Sequence, residues 1–270
     1  MFKEEAARKG NGTKTLEFES EFYTNSQVLS GLTANKIRDI LLVSSLYNIF
    51  TLEKGGMLAS QLVNEYKGLR LENPPRIHGV SSLEEALTFI RDKNFDLVLI
   101  VPPLDSMDAF SLGRKLKRIR QNIPIILLSQ NAQEISSLPE KKNRTGIDHI
   151  YRWSGHSDLL LAIIKNVEDH ANVSHDTARA SVRVMILVED SPDYYSHLLP
   201  ILYKEIVSQI QALLEVGLTE KQRAMTLRAR PKILLAKNYE EGLDLYRRYQ
   251  SCLLCLISDT RLPMQGKICA

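Results

Sequence analysis

Residues 80–101, VSSLEEALTFIRDKNFDLVLIV, decide the fold class of this chain of 270 residues. The first part opens with serines, carries acids in its first turn and a basic residue near its end, as a helix and its dipole prefer. The second part, FDLVLIV (95–101), is apolar almost throughout, which indicates a strand buried on both faces. Residues 236–259, AKNYEEGLDLYRRYQSCLLCLISD, repeat this helix–strand outline. The sequence therefore predicts the same α/β unit twice.

The strand pattern continues on both sides of residues 80–101. Further apolar strands are predicted in the first half of the chain at residues 37–44, 74–80, 123–129 and 147–153, with helices between them. Such alternation predicts a parallel sheet covered on both faces, the doubly wound, flavodoxin-like arrangement. Residues 156–171 form the predicted closing helix. We therefore assign residues 1–35 to a polar tail and residues 36–171 to a first domain.

The pattern restarts after residues 172–181, a polar, aperiodic segment that we interpret as a linker. VRVMILVED (182–190) is predicted to be a buried strand, and the long helix after it has apolar residues close to the 3.6-residue period. RPKILLAK (230–237) and CLLCLISD (252–259) are the next two predicted strands, the last one buried. Residues 182–270 are assigned to a second, partial domain with an elongated first helix, because the chain ends before a fourth and fifth strand.

Composition argues against several classes of protein. The formal net charge is +3, and lysine and arginine are spread along the chain, so no nucleic-acid-binding footprint is expected. No apolar run approaches the roughly 18 residues of a membrane helix, and the N-terminus has no apolar signal core. We therefore expect a cytoplasmic protein without a membrane span. Cys252 and Cys255 are predicted to point to opposite faces of a strand, as core residues and not as a metal or redox pair.

Carboxylates end two of the strands predicted in the second domain. Glu189 and Asp190 end the first strand, and Asp259 ends the third. Ligands of an open parallel sheet bind at the carboxyl ends of its strands, so the three acids converge if these strands are neighbours. Clustered carboxylates repel one another and favour a divalent cation, Mg²⁺ above all, which could hold a phosphoryl donor for attack by Asp259. The alternative is that the acids merely terminate strands.

The stretches LVEDSPD, and LISDTRLP with the following Gly266, resemble the two signature motifs of response-regulator receiver domains. The resemblance implies that Glu189 and Asp190 bind Mg²⁺ and that Asp259 accepts phosphate from a histidine kinase or phosphotransfer protein. It also implies that the backbone carbonyl of Arg261 completes the protein ligands of the metal. On this resemblance the chain is a regulatory module of a two-component phosphorelay and not itself an enzyme.

The first domain has the same predicted architecture without the acids. Ser44 and Ser45 stand in place of the acidic pair, and Val101 stands in place of the phosphoacceptor. Ser129 ends the fourth strand, where receivers have a small hydroxyl residue, and Arg152 lies near the lysine position of the fifth. Valine cannot be phosphorylated, and two serines do not hold Mg²⁺ tightly. We predict a pseudo-receiver that serves as a scaffold.

A wider resemblance suggests an alternative function. Stretches such as GIDHIYRWSG and LVEDSPDYYSHLLPILYKEI resemble the N-terminal region of large bacterial proteins that join such receivers to a phosphoenolpyruvate synthase or pyruvate phosphate dikinase type catalytic part. This resemblance implies that the chain is a non-catalytic regulatory fragment of such a phosphotransferase.

The apolar stripe of the long predicted helix, residues 193–217, must be covered by another surface. The cover is another helix or sheet, and one alternative is a second copy of the chain, which would give a homodimer through residues 193–217.

Overall fold

The computed structural model describes Leu29 and residues 31–54, 57–104, 108–130, 145–213, 226–264 and 267–269. Eight of the described strands form two parallel sheets. The first sheet consists of β1 (Asp39–Ser44), β2 (Arg76–Val80), β3 (Leu97–Val101), β4 (Ile125–Ser129) and β5 (His149–Arg152). Its order is β2-β1-β3-β4-β5, the order of flavodoxin-like doubly wound sheets.

Helices cover both faces of the first sheet. They are α1 (Leu46–Lys54), α2 (Met57–Gly68), α3 (Leu83–Asp92), α4 (Ala109–Ile119) and α5 (Ser157–Ala180). Successive side chains of a strand point to opposite faces. Val98 and Ile100 accordingly share a core with α3 and α4, whereas Leu97 and Leu99 share one with α2 and α5. The Ser82 hydroxyl caps α3 by accepting a hydrogen bond from the Glu85 N–H at 3.2 Å.

The second sheet is smaller. It contains β6 (Val184–Val188), β7 (Lys232–Ala236) and β8 (Leu253–Ser258) in the order β7-β6-β8, with α6 (Pro192–Leu213) and α7 (Tyr239–Tyr249) between its strands in sequence. This order repeats that of the first three strands of the first sheet, so the predicted fold class of two successive parallel α/β sheets is confirmed. A short antiparallel pair that the sequence did not predict follows, β9 (Leu262–Met264) and β10 (Lys267–Cys269).

The prediction of a fully buried strand at residues 252–259 is wrong. In the described part of the chain β8 pairs only with β6, and the side chains of Leu254 and Leu256 are about half exposed. Cys252 precedes the strand in a short 3₁₀ turn, and both it and Cys255 are partly buried. An apolar run signals a strand but not how much of it the neighbouring elements cover.

Residues 172–180, predicted as part of a linker, are helical. They continue α5, whose C-cap is Ser181 in the left-handed conformation. The buried residues of this extension are Asn172, Val173 and Asp176, so its inner face is mostly polar. A search for apolar periodicity does not detect such a face.

The end of the predicted N-terminal tail also packs against α5. The backbone N–H of Thr33 donates to the Asp176 carboxylate at 3.1 Å, and that of Asn35 donates to Asn172 Oδ1 at 2.8 Å. Leu32 and Thr33 are buried. Residues 1–28 of the predicted tail lie outside the described residues.

A buried ionic network joins α5 to the second sheet. Three acids of α5 and three basic side chains form the ion pairs Lys165–Glu168 at 2.8 Å, Arg230–Asp169 at 2.8 Å and Lys232–Asp176 at 2.9 Å. Arg230 lies just before β7 and Lys232 is its first residue, so the network fixes this strand against the helix. Equal numbers of acids and bases offset the cost of removing these charges from water.

The inner face of α6 is covered within the chain. Tyr195, Leu199, Tyr203 and Val207 are buried in a core that α5 and the first sheet share. Helix-to-helix packing with α5 of the same chain therefore covers this face of the predicted stripe, and a homodimer through residues 193–217 stays a prediction. Residues 214–217 of the predicted helix lie outside the described residues.

Among the described helices, none has an apolar stretch of the length that a membrane span requires.

Candidate functional site

Glu189, Asp190 and Asp259 lie together at the carboxyl end of the second sheet. The Glu189 N–H donates to the Ala236 carbonyl at 2.9 Å, and the Asp259 N–H donates to the Val188 carbonyl at 3.0 Å. These bonds continue the parallel ladder beyond the strands and bring both acids to one edge. One carboxylate oxygen from each of the three acids lies within 4.8 Å of the other two.

The electrostatics of this cluster favour a cation. Glu189 is buried, whereas Asp190 and Asp259 are exposed. Burial and the neighbouring charges of Asp259 and Asp190 raise the pKa of Glu189, although the Ser191 N–H donates to Glu189 Oε1 at 2.9 Å and opposes the rise. Among the described residues, no basic side chain forms an ion pair within 4.0 Å of these carboxylates. Crowded carboxylate oxygens without a basic partner are the ligand set that Mg²⁺ prefers.

The backbone after β8 orients Asp259. The Thr260 N–H donates to Asp259 Oδ1 at 2.6 Å, and the Ser258 hydroxyl donates to the Asp259 carbonyl at 2.8 Å. The second carboxylate oxygen, Oδ2, makes no hydrogen bond with any described residue. Arg261, whose backbone carbonyl is the fourth predicted ligand, lies exposed two residues further on, before β9. Its participation stays a prediction.

A cleft of about 300 Å³ beside Asp190 separates the start of β5 from the ends of β6 and β7. His149 and Lys237 also line it, and the Lys237 ammonium donates to the Asp148 carbonyl at 2.8 Å. Burial, together with the charges of Lys237 and His170, lowers the pKa of His149 well below its ordinary value. His149 is therefore neutral at neutral pH, and sequence reasoning gave no signal that it would lie near the acids.

The equivalent edge of the first sheet is closed by uncharged hydrogen bonds. The buried Ser44 hydroxyl donates to the Val101 carbonyl at 2.6 Å, and the Asn48 side-chain amide donates to Ser44 Oγ at 3.0 Å. Ser45 and Ser129 are also buried. The residues that stand in place of the acids thus bond to each other and to the backbone.

Arg152 connects the first sheet to α6. Its guanidinium lies 3.0 Å from Asp193 Oδ1, and its N–H donates to Ser196 Oγ at 2.9 Å. The Tyr195 hydroxyl also donates to the Ile150 carbonyl. The basic residue at the end of the fifth strand therefore has an ion-pair partner on the long helix. The position of Arg152 near the end of the fifth strand was predicted from the sequence, but its partner on α6 was not.

Comparison with solved structures finds receiver domains over about half of the chain. The response regulator protein TrrA from Thermotoga maritima, in complex with Mg²⁺ and beryllofluoride, is 21% identical over 48% of this chain and 99% of its own, with a TM-score of 0.37. The signal receiver domain of an HD-domain-containing protein from Pseudomonas fluorescens Pf-5 is 21% identical over 52% of this chain and 93% of its own, with a TM-score of 0.39. The receiver domain of a sensor histidine kinase from Pseudomonas aeruginosa PAO1, with magnesium in its active-site cleft, is 18% identical over 48% and 97%, with a TM-score of 0.37.

No protein-family model matches the chain, and no curated protein matches it. The fold assignment rests on the strand order and register described above.

Proposed function

We propose that the chain is a signalling module whose second domain accepts a phosphoryl group on Asp259 in the presence of Mg²⁺. The observation that carries this proposal is the cluster of three carboxylates within 4.8 Å of one another at the carboxyl ends of neighbouring strands. A role as plain strand termini does not explain why repelling charges are held together, since like charges at close range are unfavourable.

Each residue of the cluster has a proposed role. Glu189 and Asp190 hold Mg²⁺ together with Asp259 and the backbone carbonyl of Arg261. When bound, Mg²⁺ offsets the negative charge of the phosphoryl oxygens. An oxygen of Asp259 forms a bond to phosphorus while the bond from phosphorus to the donor breaks, and the leaving group keeps that electron pair. The free Oδ2 suits this role, because the Thr260 N–H engages the other oxygen.

The first domain, residues 36–171, is proposed to be a scaffold that cannot be phosphorylated. Val101 offers no acceptor oxygen on its side chain, and Ser44 is already bonded to its carbonyl. The Arg152–Asp193 ion pair connects this domain to the helix that follows the acidic pair Glu189 and Asp190. The second domain begins at residue 182, after the left-handed Ser181.

Two partners are proposed. The phosphoryl donor is a histidine kinase or a phosphotransfer protein. A second copy of the chain is the proposed partner for the outer face of α6, where Tyr194, Leu198 and Ile201 are exposed at helical spacing. The proposed dimer surface is this outer face of α6, because α5 covers the inner apolar face within the chain. Light scattering of the parent and of Ile201→Glu tests it: a dimer that the substitution dissociates supports the proposal, and a monomeric parent contradicts it.

The alternative function, a regulatory part of a phosphoenolpyruvate synthase or pyruvate phosphate dikinase type phosphotransferase, shares the same receiver chemistry. It differs in what the receiver controls. This alternative predicts catalytic domains encoded next to codon 270, and DNA sequence without them would exclude it.

Calorimetric titration with Mg²⁺ and beryllofluoride, a phosphoryl mimic, tests the proposed site. We expect saturable binding to the parent chain and loss of beryllofluoride binding in Asp259→Asn. Asp244→Asn is the matched control, because it removes an exposed carboxylate of α7 whose ion-pair partner among the described residues is Arg248 on the same helix. Undiminished binding to Asp259→Asn, or equal loss in the control, would contradict the proposal.

A further inference from the structure

A second cleft lies beside the start of β7. Its walls come from residues 31–38 before β1, from residues 73–76 at the start of β2, and from Arg228 before β7. The strands of the second sheet are parallel, so the start of β7 lies at the end of that sheet away from Asp259. The cleft has a volume of about 780 Å³, which is within the range of small-molecule sites. A cavity of about 60 Å³ adjoins it and shares Thr33, Lys36 and Arg228.

Among the described residues, all the charges that line the larger cleft are positive. Its ionisable residues are Lys36, Arg38, Arg76 and Arg228. Arg76 is largely exposed and is neutralised by Asp39, whose carboxylate lies 2.8 Å from it. The smaller cavity adds Arg70 as a further cation and Glu72 as an acid, and its other charged residues form the pairs Lys165–Glu168 and Arg230–Asp169. Positive charge therefore exceeds negative charge along both cavities.

Lys36 and Arg70 are available to a ligand. Within the described residues, neither the Lys36 ammonium nor the Arg70 guanidinium makes a hydrogen bond or an ion pair. Burial and the nearby charge of Arg228 lower the pKa of Lys36. A bound anion would raise the pKa of Lys36, because a nearby negative charge favours the protonated amine.

The backbone around the clefts is held in an uncommon conformation. Thr33, Arg70 and Asn73 all have positive φ angles, of 51°, 45° and 56°, and all three line the two cavities. For a β-branched residue such as Thr33 this conformation is unfavourable, and it persists because Asp176 accepts the Thr33 N–H and Lys232 donates to its hydroxyl. Residues held this way cluster at ligand sites. Beside Lys36, the Ile37 N–H donates to Glu168 Oε1 at 3.1 Å, which anchors this backbone to α5.

We infer that these clefts bind a small, multiply charged phosphate compound, with Lys36 and Arg70 as its principal contacts and Arg228 beside them. Ammonium and guanidinium groups form short, charge-assisted hydrogen bonds to phosphate oxygens. Lys36 precedes the first sheet and Arg228 precedes β7 of the second, so the ligand would contact residues from both halves of the chain. The compound would bind away from Asp259, because Arg228 and the start of β7 lie at the other end of the second sheet.

Titration with inorganic tripolyphosphate at physiological ionic strength, followed by calorimetry, tests this inference. We expect saturable binding to the parent and an affinity lower by about tenfold or more in the double variant Lys36→Gln, Arg70→Gln, because each substitution removes a charge-assisted contact. The control variant Lys115→Gln, Arg118→Gln removes two exposed charges from α4 and should bind as the parent does. Circular dichroism melting checks that each variant is folded, and Lys36→Gln alone replaces the double variant if Arg70→Gln unfolds the chain.

Three results would overturn the inference. One is no binding to the parent. Another is an equal loss of affinity in the control, which would indicate non-specific attraction to net charge. The third is tighter binding of a single-stranded oligonucleotide through the same residues, which would identify a nucleic acid and not a small compound as the ligand.

Discussion

Arg230 and Asp169 form a two-pronged ion pair in the interior of the protein, with Nη1 2.8 Å from Oδ2 and Nη2 2.8 Å from Oδ1. Arg230 precedes β7 of the second sheet, and Asp169 lies on α5, which packs against the first. The same carboxylate accepts hydrogen bonds at 2.9 Å from the Tyr203 hydroxyl of α6 and from the Ile233 N–H of β7. Burial alone would lower the pKa of Arg230, but the Asp169 carboxylate outweighs it and raises this pKa above its ordinary value. One side chain of α5 thus holds α6 and the second sheet in place.

Substitution of Asp169 by asparagine should strongly destabilise the protein. The variant leaves the Arg230 charge buried without a counter-charge, for which we expect a loss of about 3 kcal/mol in the free energy of unfolding. Asp244→Asn breaks an exposed ion pair within α7 and should change it by about 0.5 kcal/mol or less. Urea denaturation measures both. Similar small losses in the two variants would mean that the buried pair does not join the sheets.

Replacing side chains of α6 by alanine should distinguish its two faces. Leu199 is fully buried against α5, so Leu199→Ala should cost about 2–5 kcal/mol of unfolding free energy. Ile201 is 64% exposed, and Ile201→Ala should change the free energy by about 0.5 kcal/mol or less in a dilute, monomeric sample. The comparison is again made by urea denaturation. If Ile201→Ala lost more unfolding free energy than Leu199→Ala, the buried face of α6 would be the one that carries Ile201, which would contradict the structure.

His149 should make the protein sensitive to acid. Its pKa in the folded state is well below the ordinary value, so between about pH 6.5 and that lowered pKa the unfolded chain binds a proton that the folded chain does not. Stability associated with this group is therefore present above about pH 6.5 and is lost as the pH falls. Between neutral pH and about pH 5, the melting temperature of His149→Phe should fall less than that of the parent. His197 is exposed, and the melting temperature of His197→Phe should fall as much as that of the parent. Identical acid sensitivity in His149→Phe and the parent would refute this assignment.

Glu189 should produce the opposite pH dependence. Its folded-state pKa is raised, so the folded chain holds a proton more tightly than the unfolded chain, and stability falls as the pH rises through this window. Without divalent cations, Glu189→Gln should be more stable than the parent at neutral pH, by about 1 kcal/mol or less because the cluster is partly exposed. The gain should vanish below about pH 4, where the unfolded carboxyl is protonated. Thermal melts at several pH values measure it, and a destabilised variant at neutral pH would contradict the predicted repulsion.

The apolar strands could be predicted from the sequence because a buried parallel strand is apolar on both faces. The strand ends then placed Glu189, Asp190 and Asp259 at one edge, and the structure brings their carboxylates together. The extension of α5 could not be predicted in this way, because Asn172 and Asp176 make its buried face polar.

Contacts between segments that are distant in the chain also could not be predicted from the sequence. Periodicity identifies the apolar stripe of α6 but does not reveal that α5 covers it. The pairs Arg152–Asp193 and Arg230–Asp169 join residues 41 and 61 positions apart, and no local pattern connects such residues.

Mass spectrometry after incubation with acetyl phosphate and Mg²⁺ tests whether the second domain, and not the first, has a working phosphoacceptor. We predict one phosphoryl group per chain, located by peptide analysis on Asp259, absent when Mg²⁺ is chelated and absent in Asp259→Asn. A parent chain that takes up no phosphoryl group, or an Asp259→Asn variant that takes up as much as the parent, would contradict it.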